Sequence, residues 1–334
     1  MLSRRNLSVF FAKNAVFVGL VALVLFFSYL NPNFLSFGNA RNVVLQSAEL
    51  GIIAIPLAFL LISGAVDLSV GSVASASAVT AGLVMAQTQN MYLGILAGLG
   101  LGLLAGAING VLVAYLKLNA IVVTLGFLSV WGGFAQLITG GRTVQRSQLP
   151  EDYRELGTFT IVGIPIQIIL LVAIVVLGWW ILNRTRVGKE ALAIGGNEKA
   201  AHLMGVNVAL RRFQLFVVSG VAAAVAGIML SAKVQAATPL IGAGMELQAL
   251  IVVLLGGVAF AGGAGRISGV VAGLLFFKVL SNGLVFLQAS AFLQTILVGA
   301  TLVLAVALDT SLQQLLRRAW QKDDPQHKEK SAVD

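Results

Sequence analysis

The sequence predicts an all-α polytopic membrane protein of about ten transmembrane helices, and two observations predict it. Hydrophobic residues make up 58% of the chain, charged residues only 10%, and the mean hydropathy is +0.94. Soluble domains carry about 25% charged residues, so most of this surface must face something other than water. Uncharged runs approaching the ~20 residues that a spanning helix requires also recur along nearly the whole chain. The same composition removes several functions. There is no cysteine, so disulfides, thiolate metal sites and cysteine catalysis are absent. The two histidines, His202 and His327, stand at unrelated places, which argues against a histidine metal site. The excess of 22 Lys and Arg over 13 Asp and Glu reads as membrane topology rather than nucleic-acid binding.

Residues 1–13 (MLSRRNLSVFFAK) are expected to form a cytoplasmic amino terminus carrying Arg4, Arg5 and Lys13. The charge order is that of a signal peptide, but the following run ends in FFSYLNPNF without a small-x-small cleavage site, so the helix is retained. Pro32 ends it, and 39–49 reads as a short interfacial helix. The transmembrane domain is placed at 14–308, with spans at 14–30, 48–63, 70–87, 92–116, 120–139, 164–182, 213–232, 247–261, 267–287 and 291–308. The second and eighth are short, and each ends at a glycine-rich break. Of the 22 Lys and Arg, this topology puts sixteen inside and five outside (Arg41, Arg142, Arg146, Arg154, Lys233), with Lys278 inside a span. That satisfies the positive-inside rule and makes both termini cytoplasmic. The largest outside segment is 140–163, and Trp179 and Trp180 sit where an aromatic belt is expected, at the inner end of the sixth span. The tail 309–334 is cytoplasmic and, being charged and poor in apolar residues, is expected to be disordered.

One polar interruption stands out within the inner segment 184–212: GKEALAIGGNEKAAHLMG, from Gly188 to Gly205. Gly195 and Gly196 break what precedes them, Asn197 caps a helix, Glu198–Met204 are good helix formers, and Gly205 supplies a left-handed stop. Ala200, Leu203 and Met204 form a small apolar face. So short a helix is marginal in water and must be held, either by its own membrane domain or by a partner.

Few residues in the apolar body can carry chemistry. Asp67, in Gly64-Ala-Val-Asp-Leu-Ser-Val-Gly-Ser72, either caps the third span, itself or through Ser69, or lines a polar path where the backbone is broken. Lys278, near the middle of its span, must face a protein interior or a watered passage. Asn109 and Asn282 read either as interhelical hydrogen bonds or as solute contacts. Small residues in AGLGLGLLAGAING and SGVAAAVAGIMLSA allow close helix packing. The runs that open at Glu49-Leu50 and Glu246-Leu247 both pass inward to glycine-rich breaks, a weak internal similarity of the kind that marks translocation sites. There is no P-loop, no chain of intramembrane acids and histidines, and no catalytic triad, so neither a nucleotide site nor catalysis is expected on this chain.

In order and spacing, the motifs NPNF (31–34), SGAVDLSVGS (63–72), GAINGVLVAYLKLNAIVVTLG (106–126), AIGGNEKAAHLMGVNV (193–208), GAGMELQALIVVLLGGVAFAGGAGRISG (242–269) and SNGL (281–284) resemble the bacterial ABC-importer permeases of the ribose, xylose and branched-chain amino acid type, sugar branch. The resemblance implies a coupling helix that docks in an ATPase subunit through Gly195, Gly196, Asn197, Glu198, Ala200, Ala201, Leu203, Met204 and Gly205. It also implies a second permease copy or paralogue, a periplasmic or lipid-anchored solute-binding protein, surrounding lipid, and ATP with magnesium on the partner ATPase alone. The expected pathway residues are Asp67, Ser69, Ser72, Asn109, Gln248, Lys278 and Asn282, with no catalytic or metal residue. Two departures bear on substrate: Gln248 replaces an acid common in related sugar permeases, and Lys278 stands where a small residue is usual. The expected function is import of a small sugar or polyol across the bacterial inner membrane. Autoinducer-2 or branched-chain amino acids are alternatives, and an ATP-independent carrier or channel is the alternative class.

Overall fold

The computed structural model describes residues 15–290, 292–301, 303, 304 and 307. The expected amino-terminal segment, the end of the tenth span and the tail lie outside the described residues. The helices in chain order are α1 Ala15–Leu30, α2 Phe37–Ile62, α3 Val70–Thr88, α4 Met91–Gly110, α5 Ala120–Thr139, α6 Glu151–Leu156, α7 Ile166–Arg184, α8 Arg186–Gly196, α9 Glu198–Leu203, α10 Val208–Val234, α11 Met245–Leu255 and α12 Ile267–Phe286. A last apolar helix, α13, covers Phe292–Thr301. A π-helical turn, Val111–Tyr115, extends α4. The strands among the described residues are the antiparallel pair β1 (Thr160–Ile161) and β2 (Ile164–Pro165).

Among the described residues, seven helices are long and apolar enough to cross a membrane: α2, α3, α4 with its π turn, α5, α7, α10 and α12. The protein is thus an all-α, multi-pass membrane protein. α2 is its axis. Of its most apolar window 83% is buried inside the protein, against 22% for α5 and α7, which turn most of their surface outward. α2 packs on α7, α10, α11 and α12, while α3, α4 and α10 pack on one another. Hydrophobicity alone gives no inward preference in a lipid solvent, so close packing of small residues has to select the interior helices. Gly98, Gly102, Gly106 and Gly110 recur every four residues along one face of α4 and lie against α10. A Cβ at Gly106 would come within 2.5 Å of the Phe216 carbonyl oxygen and 2.9 Å of Val217 Cα.

The structure corrects the expected spans at three points. The interfacial helix expected at 39–49 is not separate, because it continues into the second span as the 26-residue α2. At 1.5 Å per residue α2 is about 39 Å long, enough to include an interfacial turn. Pro56 lies inside α2 without ending it. The eighth span ends at Leu255 rather than 261. Gly195 and Gly196 do not interrupt the preceding helix; they are its last turn, and the break falls at Asn197.

The eighth span is short because its first half is not helical. Residues 235–244 enter alongside α3: Ala237 bridges Val144 and lies at Gly82, whereas Gly242 donates its N–H to Ser75 Oγ at 2.9 Å and abuts Gly71. From Gly82 to Gly71 is about 17 Å along α3, so this strand of irregular backbone descends half a bilayer before α11 begins. Its polar groups are tolerated at that depth because protein surrounds them. At the end of the bundle opposite α8 and α9, Tyr153 of α6 hydrogen-bonds Ile228 O at 2.8 Å and Ser231 Oγ at 3.0 Å; burial pushes its phenol up to about 12.

Gly106→Ala is expected to destabilise the protein by about 1–3 kcal/mol through overpacking, read as a lower melting temperature in detergent. Gly100→Ala, on the open side of the same helix with nothing within 4 Å, is expected to leave it unchanged.

Candidate functional site

Three glycine-rich turns meet at one end of the bundle. The Ile62 carbonyl that closes α2 accepts the Gly263 N–H at 2.8 Å. Gly195 of α8 lies directly on the same carbonyl, and a Cβ there would collide with it and with the Gly263 amide. Gly262 (φ +86°) and Gly263 (φ +77°) adopt backbone open to glycine, and a Cβ on Gly263 would come within 2.8 Å of Gly196 Cα. The breaks after α2 and α11, which the sequence related to each other, therefore touch, and α8 is seated on both.

α9 projects from this junction. Asn197, in extended backbone, accepts the Ala200 N–H on its side-chain oxygen at 3.0 Å and caps the helix, and Gly205 (φ +85°) ends the segment. Arg212 of α10 ties the segment back: it pairs with Glu198 at 2.9 Å and reaches the Ser63 carbonyl at 3.4 Å. Arg211 pairs with Glu190 of α8, its Nε 2.7 Å from Oε2. The residues expected on one contact face divide. Ala200, Leu203, Met204 and Gly205 are exposed, with Leu203 at 86% and Met204 at 85%. Ala201 is buried, Gly195 packs on the chain's own backbone, and Glu198 is held by Arg212.

The expected pathway residues fall into three separate places. Asp67, Ser69, Ser72 and Asn109 gather in the break between α2 and α3. Asp67 is 1% exposed; its Oδ1 accepts the Ser69 N–H at 3.0 Å and the Ser69 hydroxyl at 2.6 Å, and its Oδ2 accepts the Ser219 hydroxyl of α10 at 3.0 Å. Asn109 of α4 donates to Ser69 Oγ at 2.9 Å, and Ser72 donates to the Ser69 carbonyl at 2.8 Å. Ser69 occupies the N-cap position of α3 but makes no side-chain cap bond, because its hydroxyl is committed to Asp67. The cluster thus joins the break to α4 and α10 rather than capping a helix.

Asn282 is elsewhere, accepting from Asn39 Nδ2 at 3.0 Å and so linking α12 to α2. Gln248 and Lys278 line a third place, a cavity of about 520 Å³ bounded by the start of α11, by α12 and by α13, with Ser281 and Gln294 also in its wall. The sequence reading did not single out Glu49 as a partner or Lys233 as more than an outside charge. They form an ion pair at 3.0 Å between α2 and α10. Their types were visible, but their pairing across 184 residues was not.

A membrane bundle with two broken spans touching at one end, a largely apolar cavity with a few polar side chains between its helices and a projecting helix tied to the breaks has the architecture of a transport permease. Residues 39–306 match the family described as branched-chain amino acid transport system / permease component, and the chain belongs to that family. It is 38% identical over 286 residues to the L-arabinose transport system permease protein AraH of Escherichia coli (strain K12), covering 86% of this chain and 87% of that one. It is 36% identical over 298 residues to the ribose import permease protein RbsC of Bacillus subtilis (strain 168), covering 89% and 92%. It is 32% identical over 306 residues to the D-allose transport system permease protein AlsC of Escherichia coli (strain K12), covering 91% and 93%. No solved structure matches the chain significantly.

Asp67→Ala leaves one buried N–H and two hydroxyls without their acceptor and is expected to cost about 2–4 kcal/mol. Asp67→Asn keeps the oxygen facing Ser69 and should be milder. Melting temperatures in the order wild type, Asn, Ala check this.

Proposed function

We propose that the chain is the membrane subunit of an ATP-binding-cassette importer that brings a small sugar, a pentose or hexose, into the cytoplasm. The family and the arabinose, ribose and allose transport named for its relatives support this reading. The observation that carries the coupling mechanism is α9: its tip, Leu203–Met204, is bare, while its base is bonded through Arg212 to the end of α2. An exposed apolar pair on a six-residue helix is stable only because the base is anchored, and it fits a groove on a partner.

In this reading the α8–α9 end faces the cytoplasm, as do both termini, in agreement with the distribution of Lys and Arg. A separate ATPase subunit holds ATP and magnesium and receives the α9 tip. A second permease, identical or related, completes the passage, and a periplasmic or lipid-anchored binding protein delivers the solute. Closure of the ATPase displaces α9, and Gly195 and Arg212 pass that displacement to the breaks after α2 and α11. The chain makes and breaks no covalent bond; it alternates between two arrangements whose balance ATP and the loaded binding protein bias.

Two measurements test this. Affinity purification of the tagged permease with an ATP analogue and magnesium is expected to retain an ATPase subunit with paired P-loops. Met204→Asp, at an exposed position, is expected to fold and reach the membrane normally but to lose ATP-dependent sugar uptake by about tenfold or more, as desolvating a charge in an apolar contact costs several kcal/mol. Normal uptake by that variant refutes the docking assignment.

A further inference from the structure

A groove of about 390 Å³ runs between α7 and α10, and every residue that lines it is apolar. Both helices pack on α2, whose Pro56 and Phe59 form the floor between them. Leu177 on one wall and Val218 on the other are half-exposed, so the groove opens sideways into the bilayer. On α10 the lining runs from Leu215 to Val225, about 15 Å, which is the depth of one leaflet of the hydrocarbon core. Left empty, such a groove forfeits the dispersion contacts of its walls, so a hydrocarbon chain has to fill it. It is too narrow for a transmembrane helix. Spread over about 15 Å, 390 Å³ leaves about 26 Å² of cross-section, about a third of what a helix 10 Å across occupies.

The groove ends in cations. Its stripe on α7 is Ile174, Leu177 and Ile181, and the next residue at that spacing is Arg184. Its stripe on α10, followed the same way, is Val225, Ala222, Val218 and Leu215, and the next residue on that face is Arg211. Val187, at the start of α8, closes the groove at this end, with Arg186 before it and Lys189 after it. Arg184, Arg186 and Lys189 are exposed and, among the described residues, make no ion pair. Arg211 pairs with Glu190, so these helix ends bring four cations against that one carboxylate. The positive-inside rule accounts for basic residues on this side of the membrane, but not for their place at the end of the groove.

An apolar slot one leaflet deep, finished by a surplus of positive charge at the membrane surface, has the shape and charge complementary to one lipid molecule. We propose that it is a binding site for a single anionic phospholipid, with an acyl chain lying between α7 and α10 against α2 and the phosphate meeting Arg184 and Arg186. The site is selective because two features must be met together: the groove takes the chain of any lipid, and the cations favour an anionic headgroup. It does not depend on what the protein transports.

The test uses the full-length chain in nanodiscs of phosphatidylcholine and phosphatidylglycerol in equal parts, released into mild detergent and read by native mass spectrometry. One phosphatidylglycerol per chain is expected to be retained, about tenfold more often than phosphatidylcholine. Arg184→Gln with Arg186→Gln is expected to remove that preference, whereas Arg142→Gln, outside the groove, is expected to leave it unchanged. Val218→Trp fills the open edge of the groove and is expected to reduce retention of both lipids; Leu177→Trp, from the opposite wall, repeats that test should the first variant fail to fold. Dihexanoyl phosphatidylglycerol, whose chains are too short for the groove, and inorganic phosphate are expected not to displace the bound lipid. The proposal is overturned if no lipid is retained, if phosphatidylcholine is retained equally, or if the paired arginine variant keeps the preference. Full retention by a folded groove-filling variant, or displacement by the short-chain lipid or by phosphate, places the headgroup on the basic surface alone and also overturns it.

Discussion

The structure depends on backbone meeting backbone at the end of α2. The Ile62 carbonyl receives the Gly263 amide from the turn after α11 and bears Gly195 of α8 directly upon it. No side chain fits between these three segments. A methyl group at Gly195 would separate them, and with them the connection from α9 to the interior. Membrane interiors allow such junctions because the hydrogen bonds of irregular backbone are satisfied within the protein, and they require them because unsatisfied groups have no water to turn to. The glycines at 64, 195–196 and 262–263 are therefore one feature of the fold, although they lie in three distant parts of the chain.

That junction gives the broken spans their mechanical meaning. α2 is the most enclosed long helix, so a displacement at its end cannot be absorbed locally without disturbing the helices around it. Asp67 tightens the same region from the other side, tying the break after α2 to α4 through Ser69 and Asn109 and to α10 through Ser219. The ion pair of Glu49 and Lys233 joins α2 to α10 again nearer the opposite end. In the proposed importer, α2 and α10 accordingly move as a unit.

Much of the site was legible because its local chemistry is strong. Asn197 caps α9 and Gly205 ends it, as their types and spacing indicated, and Ala200, Leu203 and Met204 emerge on an exposed surface. Asn282 and Asn109 make interhelical hydrogen bonds, one of the two readings their polar side chains allowed. What could not be read is which polar residues share a place. Seven residues grouped as one pathway divide among a structural cluster at Asp67, a helix contact at Asn282 and a cavity at Gln248 and Lys278. Spacing along a helix assigns a face, but the neighbour of that face is set by the rotation and depth of helices far off in sequence.

By itself the sequence determined the membrane class, the order of the apolar helices, the charge asymmetry and the short capped helix, since each follows from composition or from interactions within a few residues. The tertiary structure alone decided that the interfacial segment runs on into α2, that the first half of the eighth span is irregular backbone running beside α3, and that Glu198 pairs with Arg212. These outcomes come from packing between distant segments. A glycine signals that a close approach is possible, but only the folded chain specifies which backbone makes it.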